Sequence, residues 1–198
     1  MRVSREKFME TRTRILDTAA RLFREKGFDG IGLADIMKAA GLTHGGFYKH
    51  FDSKEELEAC ATSVVMEKST ENWRRIAERG EPRQLENFIK KYLTSHHRDN
   101  VGTGCVLAAL GADVARQSAR VRSAFAAGLD DMLDEIAMTA PGDTPEARRE
   151  SAIAIFAELV GGLILARAVG DPDFSNEILA ATSSHLSGIG QSGRDTDA

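Results

Sequence analysis

Apolar residues recur at helical spacing along most of the 198-residue chain, and polar breaks divide the pattern into separate segments. The first segment runs from Arg5 to Lys26 and has one apolar face, with arginines at the other positions. This face consists of Phe8, Ile15, Ala19, Leu22 and Phe23. Gly27 follows, and glycine commonly ends a helix because it adopts the left-handed backbone without steric cost. The pattern therefore predicts a long first helix.

The segment 33–51, LADIMKAAGLTHGGFYKHF, predicts two short helices joined by a tight turn. Its first residues place apolar side chains at i, i+3 and i+4, and Gly41 ends this helix. Thr43 is a suitable N-cap for the second helix, in which Phe47 and Phe51 face inward and polar or cationic side chains face outward. This is the helix-turn-helix layout, in which the second helix enters the major groove of DNA.

A capping box, Ser53 followed by Glu56, predicts that another helix begins at residue 53 and runs to about Arg79. This helix would connect an N-terminal head, residues 1–53, to a body, residues 54–188. A break at Gly80 to Pro82 would separate it from the next helix of the body. Apolar faces and caps predict body helices near 85–93, 105–116, 118–136, 145–168 and 175–186, with a loop at 96–104. The prediction is an all-α chain of about nine helices, with residues 189–198 as a disordered tail.

The stretch GFDGIGLADIMKAAGLTHGGFYKHFDSKEEL resembles the DNA-binding signature of the tetracycline-repressor (TetR) family of bacterial transcriptional regulators. The resemblance covers about residues 10–60. It implies a three-helix helix-turn-helix head on a helical body that binds a ligand and forms a dimer. The chain departs from the family pattern at Ile31 and Gly32, where a hydroxyl pair is usual, at Met37, where alanine is usual, and at Gly46, where glycine is rare. The first departure affects one expected phosphate contact and one N-cap.

The candidate DNA contacts are the outward residues of the second short helix and the start of the next one. They are Thr43, His44, Gly45, Gly46, Tyr48, Lys49, His50 and Lys54. Two adjacent glycines in a helix cost about 1 kcal/mol each relative to alanine, and close backbone approach to the duplex would offset that cost. Thr43 and His44 are expected to reach base edges, whereas Tyr48 and Lys54 are expected to contact phosphates.

The last two predicted helices are too apolar for isolated surface helices, so they belong either to the core or to a homodimer interface. The resemblance implies a four-helix interface between these helices and their symmetry mates. The candidate interface residues are Phe156, Val160, Leu163, Ile164, Ile178 and Leu186. A twofold dimer would place two reading helices roughly 34–36 Å apart, which predicts a palindromic double-stranded DNA operator.

A pocket for a small apolar effector is expected between the long helix and the body helices, because few charged residues interrupt their faces. The candidate lining residues are Trp73, Phe88, Tyr92, Leu110, Phe125 and Phe156. Aromatic residues at helical spacing are also typical of an ordinary core. The body segment GTGCVLAALGADVARQSARVRSAF resembles a TetR subgroup of repressors that respond to lipophilic drugs and flavonoid-like molecules. Effector binding would shift the dimer between forms that fit and do not fit the operator.

The charge of the chain is unevenly distributed, although its net value is −4. Residues 1–54 carry 11 Lys/Arg and 7 Asp/Glu, a net +4, whereas the remaining residues carry 15 and 23, a net −8. A basic head on an acidic body is consistent with a DNA-binding regulator. The sequence contains no secretory signal and no uninterrupted apolar run of membrane-spanning length, and its two cysteines form no disulfide framework, so a cytoplasmic protein without a membrane partner is expected.

Two alternatives to a DNA-binding regulator depend on Cys105. One is a helical small-molecule or redox-sensing protein without DNA binding, and the other is an enzyme with a thiol nucleophile. No basic residue adjoins Cys105 in sequence, which favours a small buried side chain. His96, His97 and Asp99 do not have metal-ligand spacing, so no metal, cofactor or enzymatic activity is expected.

Overall fold

The computed structural model describes residues 5–79 and 83–192, and over these ranges it contains nine α-helices, two 3₁₀ helices and no strands. The α-helices are α1 (Arg5–Lys26), α2 (Leu33–Ala39), α3 (Lys54–Glu78), α4 (Gln84–Tyr92), α5 (Ser95–Asp99), α6 (Val106–Val114), α7 (Ala119–Ala137), α8 (Pro145–Ala168) and α9 (Pro172–Ser192). The 3₁₀ helices are His44–Lys49 and Val101–Thr103. The prediction of an all-α chain is confirmed.

The N-terminal elements pack around a small apolar core against the first turns of α3. The core side chains that are at most 2% exposed include Ile15, Phe23, Ile36, Phe47, Phe51 and Leu57. The second short helix differs from the prediction because it is a 3₁₀ helix. Its backbone bonds run from Gly46 N–H to the Thr43 carbonyl and from His50 N–H to the Phe47 carbonyl, at 3.0 and 2.8 Å. Adjacent glycines support a regular α-helix poorly, which accounts for the tighter winding.

Helix α3 begins at the predicted capping box and extends from the head into the body. The Ser53 hydroxyl accepts a bond from the Glu56 N–H at 3.1 Å, and the Glu56 carboxylate accepts one from the Asp52 N–H at 2.7 Å. At 1.5 Å per residue the helix is about 37 Å long, and it packs along much of its length against α7. The proposed domain boundary between residues 53 and 54 stays a prediction. Leu57, in the first turn of α3, is completely buried and packs with the core of the head. The predicted break at residues 80–82 lies outside the described residues.

The segment predicted as a loop at 96–104 is mostly helical. Thr94 caps α5 by accepting a bond from the His97 N–H at 3.2 Å, and the 3₁₀ helix Val101–Thr103 follows. This N-cap was not identified in the sequence.

Helices α8 and α9 form the C-terminal layer of the body and pack against each other. Gly162 allows this close approach, because a Cβ at this position would lie 2.7 Å from the Thr182 hydroxyl. Helix α9 continues through Gly188 to Ser192, so the first residues of the predicted tail, 189–192, lie within a helix. The remainder of that tail, 193–198, lies outside the described residues.

Helix α8 is long and apolar enough to cross a membrane by length and composition alone. Core helices of soluble proteins pass the same test. Here Ala152, Leu159 and Leu163 are each completely buried against the rest of the chain, which is the environment of a core helix.

Candidate nucleic-acid interface

A glycine turn fixes the angle between α2 and the 3₁₀ helix His44–Lys49. Gly41 has φ of +70°, a backbone conformation that side chains disfavour. The Gly41 N–H donates to the Lys38 carbonyl and the Leu42 N–H to the Met37 carbonyl, so the last carbonyls of α2 are satisfied. The turn therefore presents the following residues at a defined orientation.

Five of the eight predicted DNA contacts form one exposed surface, which we call the reading surface. It consists of Thr43, His44, Gly45, Tyr48 and Lys49. Tyr48 is 61% exposed, and its ring packs edge-on against His44 and Phe47, with centroid distances of 6.1 and 5.2 Å. Thr43 occupies the N-cap position as predicted, but its hydroxyl makes no capping bond.

The two glycines of this segment have different surroundings. A Cβ at Gly45 would have no atom within 4 Å, and the residue is exposed. A Cβ at Gly46 would lie 3.7 Å from the Thr43 hydroxyl and 3.8 Å from the end of Met37, both ordinary contacts. The fold of the single chain therefore requires a glycine at neither position.

Arg12, which we did not single out in the sequence, holds the reading surface against the rest of the head. Its guanidinium donates to the His50 carbonyl, lies 4.1 Å from the centre of the Phe51 ring and approaches Glu56 at 3.6 Å. One side chain of α1 thus joins the end of the 3₁₀ helix to α3. An arginine next to an apolar helix face was the available signal, but four arginines of α1 share that feature.

His50 lies closer to the interior than the prediction of a DNA contact implies. It is half-buried, and its ring stacks on Phe8 with a centroid distance of 4.4 Å. Burial, followed by the nearby charges of Arg12 and Lys49, lowers the pKa of His50 and favours a neutral ring. The His50 carbonyl is already bonded to Arg12, so His50 supports the 3₁₀ helix from behind.

Lys54 is also half-buried and already has partners. Its ammonium donates to the Phe28 carbonyl at 2.6 Å and lies 3.4 Å from the carboxylate of Glu58. Glu58 is only 6% exposed, and burial raises its pKa while the charge of Lys54 opposes that rise. These contacts compete with the phosphate contact predicted for Lys54.

Four of the six predicted pocket residues form a continuous aromatic row from α3 through α4 to α8. The centroid distances are 3.6 Å for Trp73–Phe88, 5.5 Å for Phe88–Tyr92 and 6.5 Å for Tyr92–Phe156. Leu110 is buried and Phe125 is half-buried within the same apolar core. The clefts between α4 and α9 and between α3 and α7 are lined by other residues.

The six predicted interface residues do not share one face. Phe156, Leu163 and Leu186 are at most 4% exposed, so they pack inside the single chain. Val160 and Ile178 are half-buried, and Ile164 is 41% exposed. The apolar residues that α8 and α9 do expose include Ile153, Ile164, Leu165 and Phe174. Because α8 is apolar around most of its circumference, its sequence pattern did not distinguish the face toward the core from the opposite one.

Comparison with known proteins supports the resemblance noted in the sequence. Residues 15–59 match the family model "Bacterial regulatory proteins, tetR family". The transcriptional regulator AcrR of Shigella flexneri is 45% identical over 56 residues, which is 28% of this chain and 26% of AcrR. The transcriptional repressor NemR of Escherichia coli K12 is 27% identical over 122 residues, which is 60% of this chain and 61% of NemR. These matched segments thus span less than two thirds of either relative.

Solved structures extend the similarity in fold to nearly the whole chain. The reduced form of E. coli NemR superposes with a TM-score of 0.78 at 22% identity, covering 91% of this chain and 96% of NemR. A TetR transcriptional regulator from Chloroflexus aurantiacus gives a TM-score of 0.74 at 24% identity, covering 92% and 95%. The chain therefore matches the TetR family of bacterial regulatory proteins in the sequence of its head, and it is similar to TetR regulators in fold along nearly its whole length.

Proposed function

We propose that this protein is a transcriptional repressor, not an enzyme, and that it binds a palindromic operator as a homodimer in the cytoplasm. A small apolar effector would release it from DNA. The reading surface is the observation that carries this proposal. It combines a hydroxyl, an imidazole, a glycine without a side chain, a phenol and an ammonium on one exposed side of the head.

The residues of the reading surface have distinct expected roles. Thr43 and His44 stand at the beginning of the 3₁₀ helix, from which short polar side chains would contact base edges. Tyr48 and Lys49 stand at its other end, and a phenol and an ammonium are suitable groups for phosphate contacts. Since Lys54 and His50 have partners within the head, we assign them to holding this surface in place.

Binding of a labelled duplex from the promoter beside the protein's own coding region tests DNA recognition. We expect His44→Ala to change the preferred sequence and Lys49→Ala to weaken binding to all duplexes equally. Because Lys49 would neutralise one phosphate, Lys49→Ala should also reduce the slope of log affinity against log salt concentration by about one unit. Lys91→Ala, which removes an exposed lysine on α4 of the body, is the control. Absence of binding to every duplex at low salt would refute the proposal.

The exposed apolar faces of α8 and α9 support the homodimer. Ile164, Leu165 and Phe174 are each more than 40% exposed, and small residues, among them Ala157 and Ala181, lie exposed on the same helices. Large apolar side chains exposed together commonly mark an interface. We therefore no longer propose the buried residues Phe156, Leu163 and Leu186 as dimer contacts. The proposed contacts are now Leu165 and Phe174 together with Ile164, which was already predicted.

The aromatic row supports an apolar effector. Trp73 is the only tryptophan of the chain and lies against Phe88, so its fluorescence reports directly on this region. Titration with a neutral planar aromatic probe should change Trp73 emission and lower DNA affinity together. A Phe88→Ala variant should bind the probe more weakly while it retains DNA binding. Probe binding that leaves DNA affinity unchanged would contradict release by an effector at this site.

A further inference from the structure

A cleft with a volume of about 590 Å³ lies along the seam between α3 and α7. Its lining includes five carboxylates, and we call it the acidic cleft. They belong to Glu67, Glu71, Asp131, Asp134 and Glu135. The lining residues all belong to α3 and α7 and differ from the six predicted pocket residues. The acidic cleft is therefore separate from the site proposed above for an apolar effector.

An arginine already connects the two helices at one end of the acidic cleft. Arg74 of α3 donates to Glu71 of the same helix at 3.0 Å and to Glu135 of α7 at 2.9 Å. Its guanidinium thus lies between two carboxylates. Arg149 of α8 bonds to the carboxylate of Asp134. Five carboxylates and these two guanidiniums leave the cleft with a net charge of −3, so it attracts cations.

One helical turn earlier on both helices, the same arrangement recurs without a cation. The two helices run in the same direction, because Gly128 packs on Met66 so closely that a Cβ would overlap its side chain, and the Arg74 salt bridge lies further along both. The residues four positions before the members of that salt bridge are Glu67, Thr70 and Asp131. Among the described residues, the two carboxylates of this group have no hydrogen bond or ion pair. A threonine therefore occupies the position that corresponds to the arginine of the next turn.

The hydroxyl of Thr70 provides an independent indication of a ligand. Thr70 lines the cleft and is only 6% exposed. Two other hydroxyl residues of α3, Thr62 and Ser69, donate to the backbone carbonyl four residues earlier, at 2.8 and 2.9 Å. The Thr70 hydroxyl has no such partner within residues 5–79 and 83–192. A buried hydroxyl without a partner has a desolvation cost, which a ligand that donates to its oxygen would remove.

The rest of the lining indicates the shape of the ligand. The α3 side of the cleft extends from Ser63 to Arg74, about 16 Å at 1.5 Å per residue. The α7 side beyond the carboxylates consists of the small residues Ala124, Ala127 and Gly128. Within the described residues, no three carboxylate, imidazole or thiol side chains are placed to hold a metal ion. An elongated organic cation with an apolar chain therefore suits this cleft better than a metal ion.

We propose that the acidic cleft binds an aliphatic primary amine, with its ammonium group between Glu67 and Asp131. An ammonium has three N–H donors and no acceptor, which matches two carboxylates and the oxygen of the Thr70 hydroxyl. The ligand thus supplies the positive charge that Arg74 supplies one turn later. Its hydrocarbon chain extends away from Arg74, over Ala127 and the other small residues of α7, where it is partly removed from water.

Titration of the ¹⁵N-labelled full chain with hexylammonium, followed by NMR chemical shifts, tests this site. We expect saturable shift changes centred on Thr70 and Asp131. Methylammonium should bind at least about tenfold more weakly, because it lacks the chain that contacts the small residues. Tetramethylammonium has the same charge but no N–H donor, so it should not compete with hexylammonium. The titration is done without DNA, and its outcome does not depend on the proposed repressor function.

Three variants separate a specific site from general attraction to an acidic surface. Thr70→Val removes the hydroxyl without a change of charge, and Asp131→Asn removes one carboxylate. Each should weaken hexylammonium binding at least about threefold. Thr70→Val should also unfold at the same temperature as the parent or higher, since it removes a buried hydroxyl without a partner. Glu150→Gln, which removes an exposed carboxylate of α8 outside the cleft, is the control and should leave the affinity unchanged.

The absence of saturable shifts in the cleft would overturn the proposal. An affinity that Thr70→Val leaves unchanged, or that Glu150→Gln lowers as much as Asp131→Asn does, would show only general attraction between charges and would also overturn it. Competition by tetramethylammonium as strong as that of another primary amine would have the same meaning, because the hydrogen bonds of the ammonium group would then contribute nothing.

Discussion

At the scale of single residues, Gly45 is a position where the fold does not require glycine but the proposed DNA contact does. Its Cβ direction is open, so Gly45→Ala should fold normally and should be as stable as the parent or more stable by up to about 1 kcal/mol. The added methyl group would nevertheless stand on the reading surface. We expect a clear loss of DNA affinity, measured by fluorescence anisotropy, without a loss of thermal stability.

The adjacent glycine provides the matched control. Gly46→Ala adds the same methyl group toward Thr43 and Met37, inside the head, where the contacts are ordinary. It should therefore affect DNA affinity less than Gly45→Ala does. If both variants bind DNA as the parent does, close backbone approach is not the reason for the glycine pair.

The sequence predicts a phosphate contact for Lys54, but the structure places its ammonium in contacts within the head, so its removal should affect stability. Removal of its ammonium by Lys54→Ala leaves the buried carboxylate of Glu58 and the Phe28 carbonyl without their donor. We expect a loss of about 1–3 kcal/mol in the free energy of unfolding, measured with urea. The double variant Lys54→Ala with Glu58→Gln should recover part of this loss, because no buried charge remains. A Lys54→Ala variant as stable as the parent would contradict a stabilising role for Lys54, and equal stability of the single and double variants would show that the unpaired charge of Glu58 has no cost.

At the scale of secondary-structure elements, the sequence predicted what depends on local pattern. The capping box at Ser53, the glycine stop at Gly41 and the long apolar helix from Pro145 all lie where the spacing of residues indicated. These features depend on residues three or four positions apart. The 3₁₀ geometry of His44–Lys49 was missed because it depends on a small free-energy difference between two helical forms.

Contacts between distant elements could not be predicted in the same way. Cys105 has no basic neighbour in sequence, yet Arg24 of α1 and Arg167 of α8 donate to backbone carbonyls within residues 97–102, just before it. Similarly, Phe156 and Ile164 follow the same helical periodicity, but only one of them is buried. Which face of an apolar helix meets the core is determined by the packing of the whole chain. The local surroundings of the reading surface were therefore predictable, whereas the surroundings of Cys105 were not.

The short helix α5 gives the fold a dependence on pH. Burial lowers the pKa of His97 below its ordinary value of 6.5, so the folded protein keeps this ring neutral while the unfolded chain takes up a proton. The corresponding stability is present above pH 6.5 and is lost as the pH falls below it. Urea unfolding of the parent should show this decline, and His97→Gln should reduce its slope. His96→Gln, at an exposed neighbour, should keep the parental slope.

At the scale of the whole molecule, the proposed function requires a second copy of the chain. One reading surface covers a single half-site, and the specific affinity of a palindromic operator requires two surfaces held at a fixed separation. Ile164→Arg places a charge on the exposed face of α8. The side chain of Ile164 is 41% exposed, so the single chain should remain folded. We expect a monomer in light scattering and at least about a hundredfold weaker operator binding.

Met138→Arg is the matched control for this prediction, because Met138 is an apolar residue that is 75% exposed at the end of α7, outside α8 and α9. It should leave both the mass and the affinity of the protein unchanged. A parent protein that is monomeric at micromolar concentration would contradict the dimer proposal. An Ile164→Arg variant that remains a dimer would instead show that another face of the molecule forms the dimer interface. The distance between the two reading surfaces would then differ from the one that an interface of α8 and α9 gives.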